Sequence, residues 1–198
     1  MFELHTPRLL LRDLVAGDWR AIEEMGQSHE VTRYQTWLRV TSAAEARDWV
    51  QQAIYHNELP ERQAYNLAVC LREPQRAIGW LGWGPPSERA HGDYSFGYAL
   101  LPSAWGRGYM TEALRAAIAN MFERQAAGSV AGECAASNVA SARVMEKCGL
   151  ARVAEWEERD AETGVAEMHY RYVVGREAWQ RLTATLLVPP SVGCGSER

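Results

Sequence analysis

The chain has 198 residues, of which 47% are hydrophobic and 23% charged. That composition is ordinary for a single globular domain, with or without a short appendage. The formal net charge of −4 and the lack of a basic stripe speak against a nucleic-acid partner. No apolar run approaches membrane-spanning length, so no membrane partner is expected either.

Met1 to Leu14 carries charge at Glu3, Arg8, Arg12 and Asp13 and lacks the apolar stretch of a signal peptide. Arg8 to Leu14 reads as a first strand, with Leu9 and Leu11 alternating against Arg8, Leu10 and Arg12. Asp18 is placed to cap a helix that runs to about Gln27. Thr41 or Ser42 precedes Ala43-Ala44-Glu45 as a capping box. The helix behind it carries Ala46, Trp49, Val50, Ala53 and Ile54 on one stripe and ends near Asn57. Tyr65 to Leu71 and Ala77 to Trp83 form a predicted hairpin across Arg72-Glu73-Pro74-Gln75. After Gly84-Pro85-Pro86-Ser87, Tyr94 to Leu101 is another strand, stopped at Pro102.

A long amphipathic helix is predicted from about Gly108 to Arg124, with Met110, Ala113, Leu114, Ala117, Ile118, Met121 and Phe122 on one face. Val130 to Ala135 reads as a short buried strand. Asn138 to Lys147 reads as a helix with Gly149 just past its end. Leu150 to Trp156 and Met168 to Val174 are the last two strands. The organisation implied is one domain over residues 1–185 and a disordered tail over 186–198. The fold class is α/β, a mixed, twisted sheet with helices on both faces. Four cysteines, Cys70, Cys134, Cys148 and Cys194, match no zinc spacing and form no C-x-x-C. A reducing, cytoplasmic setting is therefore expected.

Chemistry concentrates between Leu100 and Ala113. There a strand ends, Trp105-Gly106-Arg107-Gly108 turns the chain, and a helix begins at Tyr109-Met110-Thr111. First-turn amides of a helix have no intrahelical partner and lie at the positive end of its dipole. Two glycines let the backbone approach a ligand closely. Together these make a cradle for phosphate or pyrophosphate. The bare Gly-x-Gly is equally a tight strand-to-helix turn. It is neither a Walker A loop, which needs Gly-Lys-Ser/Thr, nor a three-glycine dinucleotide fingerprint.

The segment resembles the acetyl-CoA signature Q/R-x-x-G-x-G/A of the GNAT (Gcn5-related N-acetyltransferase) superfamily, with Trp105, Gly108 and Met110 at its first, fourth and last positions. Trp105-Gly106-Arg107-Gly108-Tyr109-Met110-Thr111-Glu112-Ala113 is similar to the branch that acetylates the N-termini of ribosomal proteins. So are the stretch from Asn138 through Ser141 and Glu146-Lys147 to Gly149 and the opening Thr6-Pro7-Arg8-Leu9-Leu10-Leu11-Arg12. The resemblance covers roughly residues 6 to 175.

It implies a splayed sheet of about seven strands that opens between its fourth and fifth. Acetyl-CoA is implied as cosubstrate, with its pantetheine arm in the opening. The backbone of Leu100, with Ala99 alongside, would pair with that arm, and Asn138 and Ser141 would contact it. Backbone amides of Gly106, Arg107, Gly108, Tyr109, Met110 and Thr111 would hold the pyrophosphate. The implied reaction is direct attack of a neutral primary amine on the thioester. Many members carry a leaving-group tyrosine where this chain has Met145. Ser141, one turn earlier, is the candidate donor to the departing sulfur.

Glu133 is the candidate base, on the expectation of a buried carboxyl. Asp93, His91, Glu167 and His169 are alternatives. Met110 replaces the usual Gly or Ala, and its side chain points either into the core or at the cofactor. The acceptor pocket is expected from residues 18–57 and 84–92, with Tyr34, Trp37 and Trp83 as possible lining. The amine is a peptide N-terminus or a small molecule such as an antibiotic, polyamine or amino acid. A non-catalytic acyl-CoA-binding module is the rival class. The oligomeric expectation is a monomer or homodimer.

Overall fold

The computed structural model describes residues 1–86, 93–159 and 164–187. Eight strands form one sheet in the order β1-β2-β3-β4-β5-β6-β8-β7. They are β1 (Glu3–His5), β2 (Leu9–Asp13), β3 (Tyr65–Leu71), β4 (Arg76–Gly84), β5 (Tyr94–Leu100), β6 (Ser129–Ala135), β7 (Ala151–Arg159) and β8 (Ala166–Gly175). Among the described residues six α-helices accompany them: α1 (Trp19–Gln27), α2 (His29–Thr32), α3 (Ala43–Glu58), α4 (Tyr109–Arg124), α5 (Val139–Lys147) and α6 (Arg176–Leu187). The strand count is one more than the sequence implied. Glu3–His5 is too short and too polar to stand out, yet it pairs with β2 from Glu3↔Arg12 to His5↔Leu10. The helix α6 was also not foreseen. Residues 186 and 187 of the predicted 186–198 tail end α6, and the rest of it lies outside the described residues, as do His91 and Ser87.

The two faces of the sheet carry separate cores. Ile22, Met25, Leu38, Val50 and Trp80 pack beneath α1 and α3 on one face. Leu81, Leu114, Ile118, Met121, Met145 and Trp179 pack beneath α4, α5 and α6 on the other. Each side is the apolar stripe of its helices closed over alternate strand residues. Asp18 does not cap α1. Its carboxylate instead takes both guanidinium nitrogens of Arg12, at 2.7 and 2.9 Å, and the amide of Val15 at 2.8 Å. Of the two candidates before α3, Ser42 is the cap, accepting from the Glu45 amide, while the Glu45 carboxylate takes the Thr41 amide and hydroxyl. At the end of α5, the Gly149 amide reaches the Glu146 carbonyl and the Leu150 amide reaches the Met145 carbonyl. This paired closure puts Gly149 at φ +84°.

The sheet is not continuous in its middle. β5 pairs with β6 in parallel at Tyr94↔Val130 and Ser95↔Ala131, and no further register pair joins them. Beyond that point Phe96 and Tyr98, stacked at 6.0 Å, stand on the α4–α5 face of β5. A Cβ on Gly132 of β6 would lie 2.4 Å from the Phe96 ring and 2.9 Å from the Met145 sulfur. Phe96 thus wedges between β5 and β6, and only a glycine on β6 leaves room for it.

Gly132→Ala should lower stability by about 1–3 kcal/mol through overpacking. The melting temperature should fall by about 2–4 °C per kcal/mol in a chain of this size. Gly17→Ala, where an added Cβ meets nothing within 4 Å, should stay within about 0.5 kcal/mol of the parent. Equal melting temperatures for the two variants would remove the wedge.

Candidate active site

The opening between β5 and β6 has a charged end and a narrow waist. At the charged end, β5 runs through a short 3-10 turn (Pro102–Ala104) into Trp105-Gly106-Arg107-Gly108 and then α4. Gly106 and Gly108 have φ of +72° and +75°, the left-handed region that favours glycine. An added Cβ meets nothing within 4 Å at Gly106 and only the Arg8 guanidinium, at 3.6 Å, at Gly108. The first intrahelical bond is Glu112 to the Gly108 carbonyl, at 3.1 Å, and no side chain caps α4. By contrast, Ser42 caps α3 and Asn138 caps α5. The uncapped first turn of α4 fits an anionic ligand.

Met110 is buried in the core beneath α4. Its side chain points away from the cradle, so the larger residue leaves the amides accessible. Arg107 is exposed and its carbonyl accepts from Arg8 Nη1 at 2.9 Å. Trp105 is 46% exposed. Its indole N–H reaches the Leu100 carbonyl at 2.9 Å.

The cradle is clamped from the N-terminal strands. The Glu112 carboxylate accepts from the Thr6 hydroxyl at 2.6 Å, the Arg8 amide at 2.9 Å and Arg8 Nε at 2.6 Å. The Arg8 guanidinium also lies 4.7 Å from the centre of the Tyr109 ring. Two of the sequence motifs therefore meet in one ion pair.

Along β5, the backbone alternates as an antiparallel strand must. The Leu101 amide bonds Ile78 of β4, which turns Ala99 toward β4 as well. The carbonyls of Leu100 and Tyr98 face the opening and accept from side chains, Trp105 and Gln35 respectively. Of the two expected strand residues, Leu100 presents its backbone to the opening and Ala99 does not.

Opposite, at the start of α5, Asn138 Oδ1 accepts from the Ser141 amide at 3.1 Å, so the carbonyl end of Asn138 serves the helix. The Ser141 hydroxyl lies 2.8 Å from the Tyr98 hydroxyl. Cys134 of β6 is buried, and burial pushes its thiol pKa up to about 11. Met145 is buried against Gly132, so the helix offers no hydroxyl of its own there.

On the α1–α3 face, a cleft of ≈ 520 Å³ adjoins the opening. Alternate residues of three strands supply small side chains to it, Gly82, Ser95, Gly97 and Ala131, while Trp37, Trp80 and Gln35 are among its lining. Trp37, Trp49 and Trp80 form a cluster, with Trp80 edge-on to both others at 4.9 and 5.9 Å. Trp83 borders the cleft but is buried in the core of the other face, stacked on Tyr65 at 4.7 Å. Tyr34 instead donates to the Ser137 carbonyl at 3.1 Å, across the opening.

Glu133 also lines this cleft. It is not the buried carboxyl the sequence suggested: its side chain is 34% exposed and ion-paired with Arg171 at 2.8 Å. Alternation on β6 turns residue 133 out of the α4–α5 core, a consequence of register that apolar content did not reveal. Asp93 is engaged by the amides of Gly128 and Ser129. Glu167 takes the Ser137 hydroxyl, and His169 lies 3.7 Å from Glu158. Gln35 and Tyr98 were missed by sequence reasoning. Neither belongs to a motif, and their roles depend on which strand edge is open.

The chain is similar to known proteins in sequence and in fold. The model of the acetyltransferase (GNAT) domain matches residues 8–151. The chain is 30% identical over 116 residues to the uncharacterized N-acetyltransferase p20 of Bacillus licheniformis. The match covers 58% of this chain and 63% of p20, less than two thirds of that relative's length. Among solved structures, it resembles the ribosomal L7/L12 alpha-N-protein acetyltransferase RimL in complex with coenzyme A, at TM-score 0.76 and 19% identity over 89% of this chain and 99% of the other. It also resembles the spermidine N-acetyltransferase of Vibrio cholerae in complex with CoA and spermine, at TM-score 0.72 and 18% identity over 88% and 99%. At such identities the structural likeness speaks for the fold alone.

Glu112 yields a pH prediction. Burial by itself would raise its carboxyl, but the bonds from Thr6 and Arg8 outweigh burial and hold it below its ordinary value of 4.5. A lowered folded-state value means stability that is present above that ordinary value and is lost as pH falls through the lowered one. Denaturant unfolding should show wild type more stable than Glu112→Gln at neutral pH, with the gap closing below about pH 4.5. A gap independent of pH would contradict the clamp.

Proposed function

The chain belongs to the acetyltransferase (GNAT) family, with acetyl-CoA as cosubstrate, and from that premise we propose that it acetylates a primary amine by direct attack on the thioester. The observation that carries this reading is the open waist between β5 and β6, with an uncapped helix start at one end and an aromatic cleft beside it. In this reading the amides of Gly106 to Thr111 hold the pyrophosphate. The open edge at Leu100 pairs with the pantetheine amides as an added strand would. Trp105, Asn138 and Ser141 border the same arm.

The neutral amine enters from the cleft and its nitrogen bonds the thioester carbon. The C–S bond breaks, and the proton lost by nitrogen ends on sulfur, giving the amide and free coenzyme A. Ser141 donates a hydrogen bond to the sulfur as negative charge develops there. Glu133, the carboxylate lining the cleft, attracts the ammonium form and takes from it, through water, the proton whose loss leaves the amine neutral.

A peptide N-terminus is the leading acceptor, on the strength of the Trp105–Ala113 motif. A small cationic amine is the second reading, favoured by the bounded cleft with Trp37 and Trp80 on its walls and Glu133 at its edge. We infer a cytoplasmic setting, which Cys70, Cys134 and Cys148, buried and free of disulfides, support.

Thiol release from acetyl-CoA, followed across N-terminal peptides, polyamines and aminated small molecules, tests the reading. Turnover with at least one class is expected, and none with any amine would defeat it. Ser141→Ala should lower kcat by roughly 10- to 100-fold, the worth of a hydrogen bond to a charged group, with acetyl-CoA affinity by calorimetry kept. Unchanged kcat would remove Ser141 from the chemistry.

A further inference from the structure

The hydroxyl that Met145 fails to supply has a counterpart on the other wall of the opening. Tyr98 is the middle residue of the splayed part of β5. Its ring is held by stacking on Phe96 at 6.0 Å. Its hydroxyl reaches across to α5, 2.8 Å from the Ser141 hydroxyl and 3.2 Å from the Ser141 carbonyl. We propose that Tyr98 is a positioning residue that fixes the Ser141 hydroxyl so that its proton faces the leaving sulfur. The proposal rests on the reading of Ser141 given above and goes beyond it.

A serine hydroxyl has one proton and a freely rotating C–O bond. Left alone beside Cys134 and the carbonyls of its own helix, it has several places to donate. A phenol that donates into Ser141 Oγ occupies one lone pair and restricts the rotor. The serine proton is then left for a third partner. The donor must keep its own proton throughout. Burial, the largest influence on Tyr98, pushes its phenol above its ordinary range, more than the Ser141 contact lowers it. Tyr98 therefore stays a hydrogen-bond donor across the working pH and does not itself supply the proton that ends on sulfur. That proton comes from the amine, so the step balances without a change in Tyr98 or Ser141.

The geometry also accounts for a phenol on β5 in a site whose helix offers none. The opening has two walls, and a hydroxyl can reach its middle from either. Met145 fills the helix side against Gly132 and Phe96, which leaves the β5 side to carry the polar contact. A purely structural tyrosine would need only a carbonyl, and Ser141 offers one at 3.2 Å. The Tyr98 hydroxyl makes that contact and a second, shorter one to the Ser141 hydroxyl at 2.8 Å, in which either oxygen can donate.

The test is a cycle of Tyr98→Phe, Ser141→Ala and the double variant, each read for kcat, acetyl-CoA affinity and the pKa of bound coenzyme A thiol. The last is followed by the ultraviolet absorbance of the thiolate. It reports the hydrogen bond to sulfur and is not moved by loss of stability. Tyr98→Phe should lower kcat by about 10-fold, as misorientation of a catalytic group does. It should also raise the bound-thiol pKa, with affinity within about 2-fold of the parent, and the double variant should be no worse than Ser141→Ala alone.

If Ser141→Ala changes kcat and thiol pKa while Tyr98→Phe changes neither, the Tyr98 proposal falls and the Ser141 reading stands. If Ser141→Ala changes neither, the Ser141 reading fails and takes the Tyr98 proposal with it. Additive losses in the double variant would mean that Tyr98 acts independently of Ser141 and would overturn the proposal. Should Tyr98→Phe not fold, 3-fluorotyrosine at position 98 keeps ring and hydroxyl while strengthening the donor. It should then lower the bound-thiol pKa, and an unchanged value would overturn the proposal.

Discussion

The site depends on two strands being kept apart. Adjacent strands pair wherever their edges are free, because unpaired backbone groups in a sheet are costly. Here β5 and β6 begin to pair at Tyr94 and Ser95 and then part. The Phe96 ring stands against Gly132 and the Met145 sulfur, in the space a closed ladder would use. The backbone groups released by this separation are not left idle. The carbonyls of Tyr98 and Leu100 take side-chain donors from Gln35 and Trp105. An extended amide arm would meet an edge whose present partners are side chains and can yield.

The separation also decides what the rest of the chain must do. A sheet opened in its middle loses stiffness where the cradle hangs from the end of β5. The ion pair of Arg8 with Glu112, joined by Thr6 and the Arg107 carbonyl, ties the start of α4 to the N-terminal strands. Glu112 is 16% exposed at its side chain, Arg8 48%. The pair is therefore worth more than a fully solvated one, whose typical contribution is about 0–1 kcal/mol. Its larger consequence is geometric, since it fixes the glycine turn that presents the amides.

Much of the fold is legible from local pattern. The apolar stripes of α3 and α4, the hairpin of β3 and β4, and the glycine closing α5 each rest on residues within a few positions of one another. The elements that were missed have weak local signals. β1 has three residues with two exposed, and is a strand only because β2 offers it an edge. Asp18 has the chemistry of a cap, but Arg12 six residues earlier in the neighbouring strand competes for its carboxylate with two charged donors.

For the candidate site, the sequence by itself determined the proposed cofactor end. Positive-φ glycines, a helix start without a capping side chain and the flanking motifs are all local, and the chain folds them where they stand. The proposed acceptor end was decided by tertiary structure alone. Glu133 is solvent-facing and paired because β6 alternates against β8, and Arg171 lies opposite it in register. Tyr98 meets Ser141 across 43 residues of chain, and Gln35 meets the Tyr98 carbonyl across 63. Such contacts have no periodicity to read. They exist because a strand edge was left open, and the reason it stays open is a side-chain wedge assembled from three separate elements.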